Sequence, residues 1–133
     1  MDYPAWKCSM IALAVASGGA LGALARYVIH QYMIANGMTA VGLSTFAVNV
    51  IGSFAIGCCF VLFERFSVSE AMRLGLMVGF LGAFTTFSTF SLELVSELQA
   101  GNYLRPAVYA AAAVLFCVVA CFAGIAVTRS VID

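Results

Sequence analysis

The stretch GAFTTFSTFSLE, residues 82–93, says most about the fold and the chemistry of this chain. It lies within a long apolar run, yet it carries five hydroxyl side chains and one carboxyl group. On a helix, Phe87 and Phe90 share one face, and the hydroxyl groups lie on the faces beside it. Because an aromatic ring has a positive edge, ring edges next to hydroxyl donors suit a partly dehydrated anion. The alternative is that the hydroxyls bond to carbonyls of their own helix and that the phenylalanines only fill the core.

The composition of the whole chain indicates a membrane protein. Of its 133 residues, 64% are hydrophobic and only 9% are charged, and the formal net charge is zero. A soluble domain of this size has too much surface for its volume to hide so many apolar side chains. The charges do not cluster, which argues against a nucleic-acid partner. No nucleotide, redox-cofactor or catalytic-triad motif is visible, so we expect neither an enzyme nor an organic cofactor.

Four apolar runs are each long enough to cross the hydrocarbon core of a bilayer, which is about 30 Å thick. Backbone in lipid must satisfy its own hydrogen bonds, so these runs are predicted to be helices. The expected fold is an all-α integral membrane protein with a single four-helix transmembrane domain, residues 1–133. The predicted spans cover residues 9–33, 43–63, 73–98 and 104–128.

The third helix is predicted to begin at a serine cap and to break near its middle. Ser69 precedes the apolar run and is a residue that favours the cap position. Within residues 82–86, glycine and two adjacent threonines weaken the helix. Gly82 is expected to use backbone conformations that are open to glycine alone. Carbonyl groups freed in mid-membrane need a protein or cation partner.

Further polar side chains lie in or near the other spans. Asn49, in the middle of the second span, offers two N–H donors, which suit either an anion or a bond between helices. Arg26 can reach the interface with its long side chain, or attract anions at the mouth of a pathway. His30 has no obvious partner in the sequence. The five cysteines lie in apolar runs without a CxxC pair, so we expect them to be free and packed between helices.

Several segments together resemble the Fluc/CrcB family of fluoride channels. They are GFLGAFTTFSTFSLE at 79–93, GGALGALARY at 18–27, VNVIG at 48–52 and QAGNY at 99–103. The resemblance covers nearly the whole chain in the right order, and the TTFSTF core is its most specific part. It implies a passive, fluoride-selective channel that exports cytoplasmic fluoride across the bilayer of a bacterial inner membrane. It also implies an antiparallel, dual-topology homodimer with two pathways.

The resemblance further implies roles for individual residues. Asn49 would donate to fluoride, and the ring edges of Phe87 and Phe90 would line the pathway. Backbone carbonyls of Gly82 and Thr85 from both subunits would hold a structural Na⁺ at the dimer interface. The remaining pathway residues would form the mouth, a polar track and the wall beside it, and they are Arg26, Ser88, Thr89, Glu93 and Tyr109.

Three positions depart from the family pattern. Ser44 lies in a segment that usually reads Gly-Thr-Leu in the family, and this difference affects the mouth of the pathway. Ala83 is more often glycine, and Cys117 replaces a common serine and so removes a hydroxyl donor.

A small multidrug transporter is the first alternative function, but such proteins carry an essential carboxylate in the first helix, and the first span here has none. A non-transporting scaffold is the second, and it leaves the polar residues of the third helix unexplained.

Overall fold

The structure, a computed structural model, describes residues 4–132, and this part of the chain is helical without strands. Four segments are long and apolar enough to cross a membrane, which confirms the four predicted spans. These segments are Ala5–Ala35, Leu43–Arg65, Glu70–Gln99 and Leu104–Ile132, and the third is divided into shorter elements. The elements in order are α1 (Ala5–Ala35), α2 (Leu43–Arg65), α3 (Glu70–Leu74), a π-helix (Gly75–Leu81), α4 (Gly82–Phe84), α5 (Phe87–Gln99) and α6 (Leu104–Ile132).

Two close helix pairs build the bundle. α2 packs chiefly against α6, and α1 packs against α3, the π-helix and α4. Glycines bring the backbones together, since a Cβ at Gly57 would overlap the carbonyl oxygen of Cys121, and one at Gly124 would overlap that of Phe54. Small residues permit this approach between spanning helices, where dispersion contacts rather than the hydrophobic effect hold helices together.

A π-helix occupies the part of the third span that faces α1. The sequence predicts an ordinary α-helix there, and the wider turn of Gly75–Leu81 is a difference from that prediction. The π-helix lies against glycines of α1, since a Cβ at Gly18 or Gly22 would overlap its carbonyl oxygens. In turn, a Cβ at Gly79 would lie only 2.6 Å from the carbonyl oxygen of Val15. Short π-helical turns within α-helices are frequent at functional sites.

The third span begins as predicted, and its course changes between α4 and α5. Ser69 caps α3, because its hydroxyl accepts from the N–H of Met72 at 3.3 Å. Thr85 (φ −81°, ψ 158°) and Thr86 (φ −150°, ψ 120°) have extended backbones. Gly82 is helical, with φ −63° and ψ −34°, so the expectation that it uses glycine-only conformations is wrong. The chain leaves the helix three residues later, and the cause lies in the partners of the threonines.

Candidate functional site

Asn49 binds the extended segment through two hydrogen bonds to one residue. Its Oδ1 accepts from the N–H of Thr86 at 2.8 Å, and its Nδ2 donates to the carbonyl oxygen of Thr86 at 3.0 Å. A side-chain amide thus replaces the helical hydrogen bonds that an extended residue loses, which matters because lipid offers none. Of the two roles open from the sequence, the bond between helices is the one observed. It uses one N–H of Nδ2, and the second has no acceptor within residues 4–132.

Thr86 also starts α5. Its hydroxyl accepts from the N–H of Thr89 at 3.2 Å and lies 3.2 Å from Ser88 Oγ and 3.1 Å from Thr89 Oγ1. These three hydroxyls therefore form a cluster at the start of the helix. Thr85 and Ser91 instead donate to carbonyl oxygens four residues before them, at 2.9 Å each. The back-bonding alternative is right for Thr85 and Ser91 and wrong for the hydroxyl cluster.

Two backbone carbonyls lose their helical donors as a result. In a continuous helix, the N–H of Thr86 would donate to Gly82 and the N–H of Thr89 would donate to Thr85. Here the first donates to Asn49 and the second to the hydroxyl of Thr86. The carbonyl oxygens of Gly82 and Thr85 are thus left for other partners, and both residues line one cavity.

Glu93 lies at the centre of a second polar cluster. Its Oε1 accepts from the hydroxyl of buried Thr45 at 2.6 Å, and its Oε2 lies 3.0 Å from the hydroxyl of Tyr109. That hydroxyl is also 3.1 Å from the carbonyl oxygen of Gly42. Gly42 precedes α2 with φ +80°, and a Cβ on it would lie 2.7 Å from the tyrosine ring, so only glycine fits there. The carboxyl group therefore connects α2, α5 and α6.

The two phenylalanines touch, but they face different surroundings. The ring centroids of Phe87 and Phe90 are 5.4 Å apart, as their shared helix face predicts. Phe90 is 7% exposed, and its ring centroid lies 5.3 Å from that of Tyr109. Phe87 is 76% exposed and points away from the bundle.

Two cavities flank the extended segment. The aromatic cavity, of about 320 Å³, is lined by Asn49, Gly82, Thr85, Thr86, Phe87, Phe90 and Cys117 among others. The arginine cavity, of about 260 Å³, is lined by Arg26, Tyr27, His30, Ser44, Thr45, Thr86, Thr89 and Glu93 among others. Thr86 belongs to both linings, so the extended segment separates the two spaces. The arginine cavity lies at the end of the bundle where α1 ends and α2 begins.

The predicted site residues divide between these cavities. Ser88 and Tyr109 line neither; they touch the linings through Thr86 and Glu93. The aromatic cavity is lined by Asn49, Gly82, Thr85, Phe87 and Phe90. The arginine cavity is lined by Arg26, Thr89 and Glu93.

Three residues contribute to the site although the sequence predicted no role for them, and they are Thr86, Thr45 and His30. Thr86 precedes Thr89 by three residues, which is the spacing of a helix cap and could have revealed it. Thr45 lies one turn before Asn49 and therefore on the same face of α2. The expectation for His30 is wrong, because its Nδ1 lies 2.8 Å from Ser44 Oγ. The five cysteines are free as predicted, but Cys8 is exposed rather than packed between helices.

Residues 13–125 match the model of a family described as CrcB-like protein, Camphor Resistance (CrcB). The chain belongs to this family. Three relatives are named Fluoride-specific ion channel FluC. That of Magnetococcus marinus is 45% identical over 116 residues, with 86% of this chain and 94% of the relative covered. That of Idiomarina loihiensis is 47% identical over 109 residues (82% and 84%), and that of Rhizobium etli is 43% identical over 122 residues (91% and 98%).

Proposed function

We propose that this CrcB-family chain is a fluoride-selective channel, not an enzyme, and that it passively exports fluoride across a bacterial inner membrane. The observation that carries the proposal is the aromatic cavity. There, the amide of Asn49 and the rings of Phe87 and Phe90 meet within helices that are otherwise apolar. The names of the three relatives, all fluoride-specific ion channels, support the same function.

Export by a passive channel follows from the chemistry of fluoride. Neutral HF crosses lipid, ionises in the more alkaline cytoplasm and is trapped there as F⁻. A membrane potential that is negative inside drives the anion out, at about 2.3 kcal/mol per 100 mV. A selective pathway is then sufficient for removal, which lowers the toxicity of fluoride without an energy-coupling site.

The pathway uses weak donors at several points rather than one full charge. The second N–H of Asn49 and the ring edges of Phe87 and Phe90 replace water around the ion. The hydroxyls of Ser88 and Thr89 form the polar track beside them. Glu93 with Tyr109 completes the wall, and Arg26 attracts anions to the mouth. The roles of Glu93, Tyr109 and Arg26 are those that the family resemblance implies.

The channel is an antiparallel homodimer with two pathways. Phe87 is exposed in the single chain, and Gly82 is exposed beside it. A Cβ at Gly82 would meet nothing closer than the Met77 carbonyl oxygen at 3.8 Å, so the chain itself does not explain the glycine. A second copy packed on this surface accounts for both residues, since small residues favour close approach of helices in lipid.

The break of the third helix provides a site for a structural Na⁺ at the dimer interface. No cluster of three or more His, Cys, Asp or Glu side chains occurs within residues 4–132, so side-chain ligands of that kind are absent from this part of the chain. The carbonyl oxygens of Gly82 and Thr85 have lost their helical donors and line the aromatic cavity. Carbonyl oxygens suit hard cations, and two copies would supply four of them.

A small multidrug transporter is not favoured. Such proteins carry their essential carboxylate on the first helix, and no acidic residue occurs in Ala5–Ala35. Glu93 lies on α5 instead and is bonded to Thr45.

Fluoride release from liposomes tests the proposed function. Purified protein in vesicles loaded with fluoride should release it rapidly once a potassium ionophore relieves the charge, and a fluoride electrode measures the release. Protein-free vesicles and vesicles loaded with chloride are the controls, and both should release little. Transport of a quaternary cation in place of fluoride would support the multidrug alternative, and release of neither would refute both.

Replacing Phe87 or Phe90 by isoleucine should remove most of the fluoride flux without unfolding the protein. Isoleucine keeps an apolar side chain but lacks the ring edge, which contributes about 1 kcal/mol, or roughly five-fold in rate. Phe→Met should be milder, because sulfur is polarizable. Phe122, on α6 and 69% exposed, provides a matched control, and Phe122→Ile should conduct normally. Wild-type flux in both Phe87→Ile and Phe90→Ile would mean that the rings only pack.

A further inference from the structure

The arginine cavity contains a titratable residue, His30, that the pathway residues do not include. His30 follows Arg26 by four residues on α1, so both side chains lie on one helix face. Both line the arginine cavity. The Nδ1 of His30 lies 2.8 Å from the hydroxyl of Ser44, next to the start of α2. The imidazole is thus hydrogen-bonded at the end of the bundle where this cavity lies, although its side chain is exposed.

The serine hydroxyl permits the imidazole to change charge without losing its bond. A hydroxyl donates to a neutral ring nitrogen and accepts from a protonated one, so Ser44 serves His30 in both states. Histidine is the side chain whose charge changes between about pH 5 and about pH 8. A proton on His30 therefore adds a positive charge, while the contact with Ser44 stays in the same geometry.

The other charged and titratable groups that face this cavity are few. α1 contributes Arg26 and Tyr27, and α5 contributes Glu93. α2 contributes hydroxyl groups, and Tyr109 of α6 lies behind Glu93. Within residues 4–132, no carboxylate oxygen lies within the 4.0 Å ion-pair distance of the Arg26 guanidinium. The formal charges of Arg26 and Glu93 in this lining cancel, so one further positive charge at position 30 makes the lining net positive.

We propose that His30, held by Ser44, is a second anion-attracting residue at the mouth, and that its protonation raises the rate at which the channel takes up fluoride. The inference rests on the proposed function. A positive charge in a cleft raises the local concentration of anions and hence their rate of association.

Currents through the channel in planar bilayers test this inference, because neutral HF carries no current. With fluoride on both sides and the pH lowered on both sides from about 8 to about 5, the wild-type current should rise about three-fold. In His30→Gln, which keeps a polar group but does not titrate, the ratio of acid to neutral current should fall to nearly one. In His30→Lys, the current at about pH 8 should already reach the acidic wild-type level.

The same measurements separate failure of this inference from failure of the proposed function. An equal pH response in wild type and His30→Gln, with normal fluoride current in both, would overturn the role of His30 and leave the channel function intact. A Lys variant whose current at about pH 8 stays at the neutral wild-type level would overturn the role as well. Absence of fluoride current in wild type at every pH would overturn the proposed function and this inference with it.

Discussion

Asn49→Asp should abolish fluoride flux and lower the thermal stability of the protein. Aspartate keeps an acceptor for the N–H of Thr86, but it places a second acceptor where Nδ2 now donates to the Thr86 carbonyl oxygen at 3.0 Å. Two facing acceptors and a carboxylate away from water cost about 3–5 kcal/mol. The substitution also removes the second N–H, which the proposed pathway uses, and would put a negative charge beside the fluoride ion. Flux in liposomes and unfolding temperature in detergent measure the two effects.

Asn36 offers a matched control for the same change in chemistry. Its Nδ2 also donates to a backbone carbonyl oxygen, that of Tyr32 at 2.8 Å, but at an exposed turn. Asn36→Asp should therefore cost less than about 1 kcal/mol and keep its flux, since water replaces the lost bond. Asn49→Ser, which retains a hydroxyl donor, should keep part of the flux. Normal flux in Asn49→Asp would exclude the proposed role of the amide in the fluoride pathway.

A direct tandem fusion of two copies should be inactive, whereas the same fusion with one extra spanning helix between the copies should conduct. Four spans place both termini of a copy on the same side of the membrane, so a short linker forces the second copy into the same orientation. An added span inverts it. If the dimer is antiparallel, only the second fusion can join the two surfaces that carry Gly82 and Phe87. Fluoride efflux from liposomes reports the difference.

Two further measurements serve as controls for the comparison of the two fusions. Gel filtration should show that each fusion runs as a single linked pair, because two direct fusions could otherwise associate and restore activity between molecules. Labelling of cysteines introduced in the turns should report the orientation of each copy. Conduction by the direct fusion, as a linked pair with both copies in one orientation, would contradict the antiparallel dimer.

The sequence predicts those features that depend on neighbouring residues. The four spans follow from runs of apolar residues, and the Ser69 cap follows from the residues directly after it. The contact between Phe87 and Phe90 follows from their spacing on one helix. Each of these depends on a few consecutive positions, whose geometry the helix fixes.

Features that depend on distant partners could not be predicted in the same way. Asn49 and Thr86 are 37 residues apart, and either could have bonded elsewhere. The predicted break was attributed to Gly82 and to the two threonines after it. Gly82 is helical, and the chain departs from the helix at the threonines, where Asn49 and the hydroxyl of Thr86 make their hydrogen bonds. The different exposure of the two phenylalanines depends on the rotation of α5 about its axis, which its packing partners determine.

The π-helix makes the length of its segment as important as its composition. A π-helical turn accommodates one more residue than an α-helical turn, so it acts as a single-residue insertion in the span. One extra residue changes the phase of everything that follows by about 100° around the helix axis. Gly82, Thr85 and Thr86 follow Gly75–Leu81 in the chain. The extra residue of the π-helix therefore helps to set the direction in which they face Asn49. A conservative substitution in the segment leaves the offset intact, whereas loss of any one residue would rotate the downstream residues away from their partners on α2.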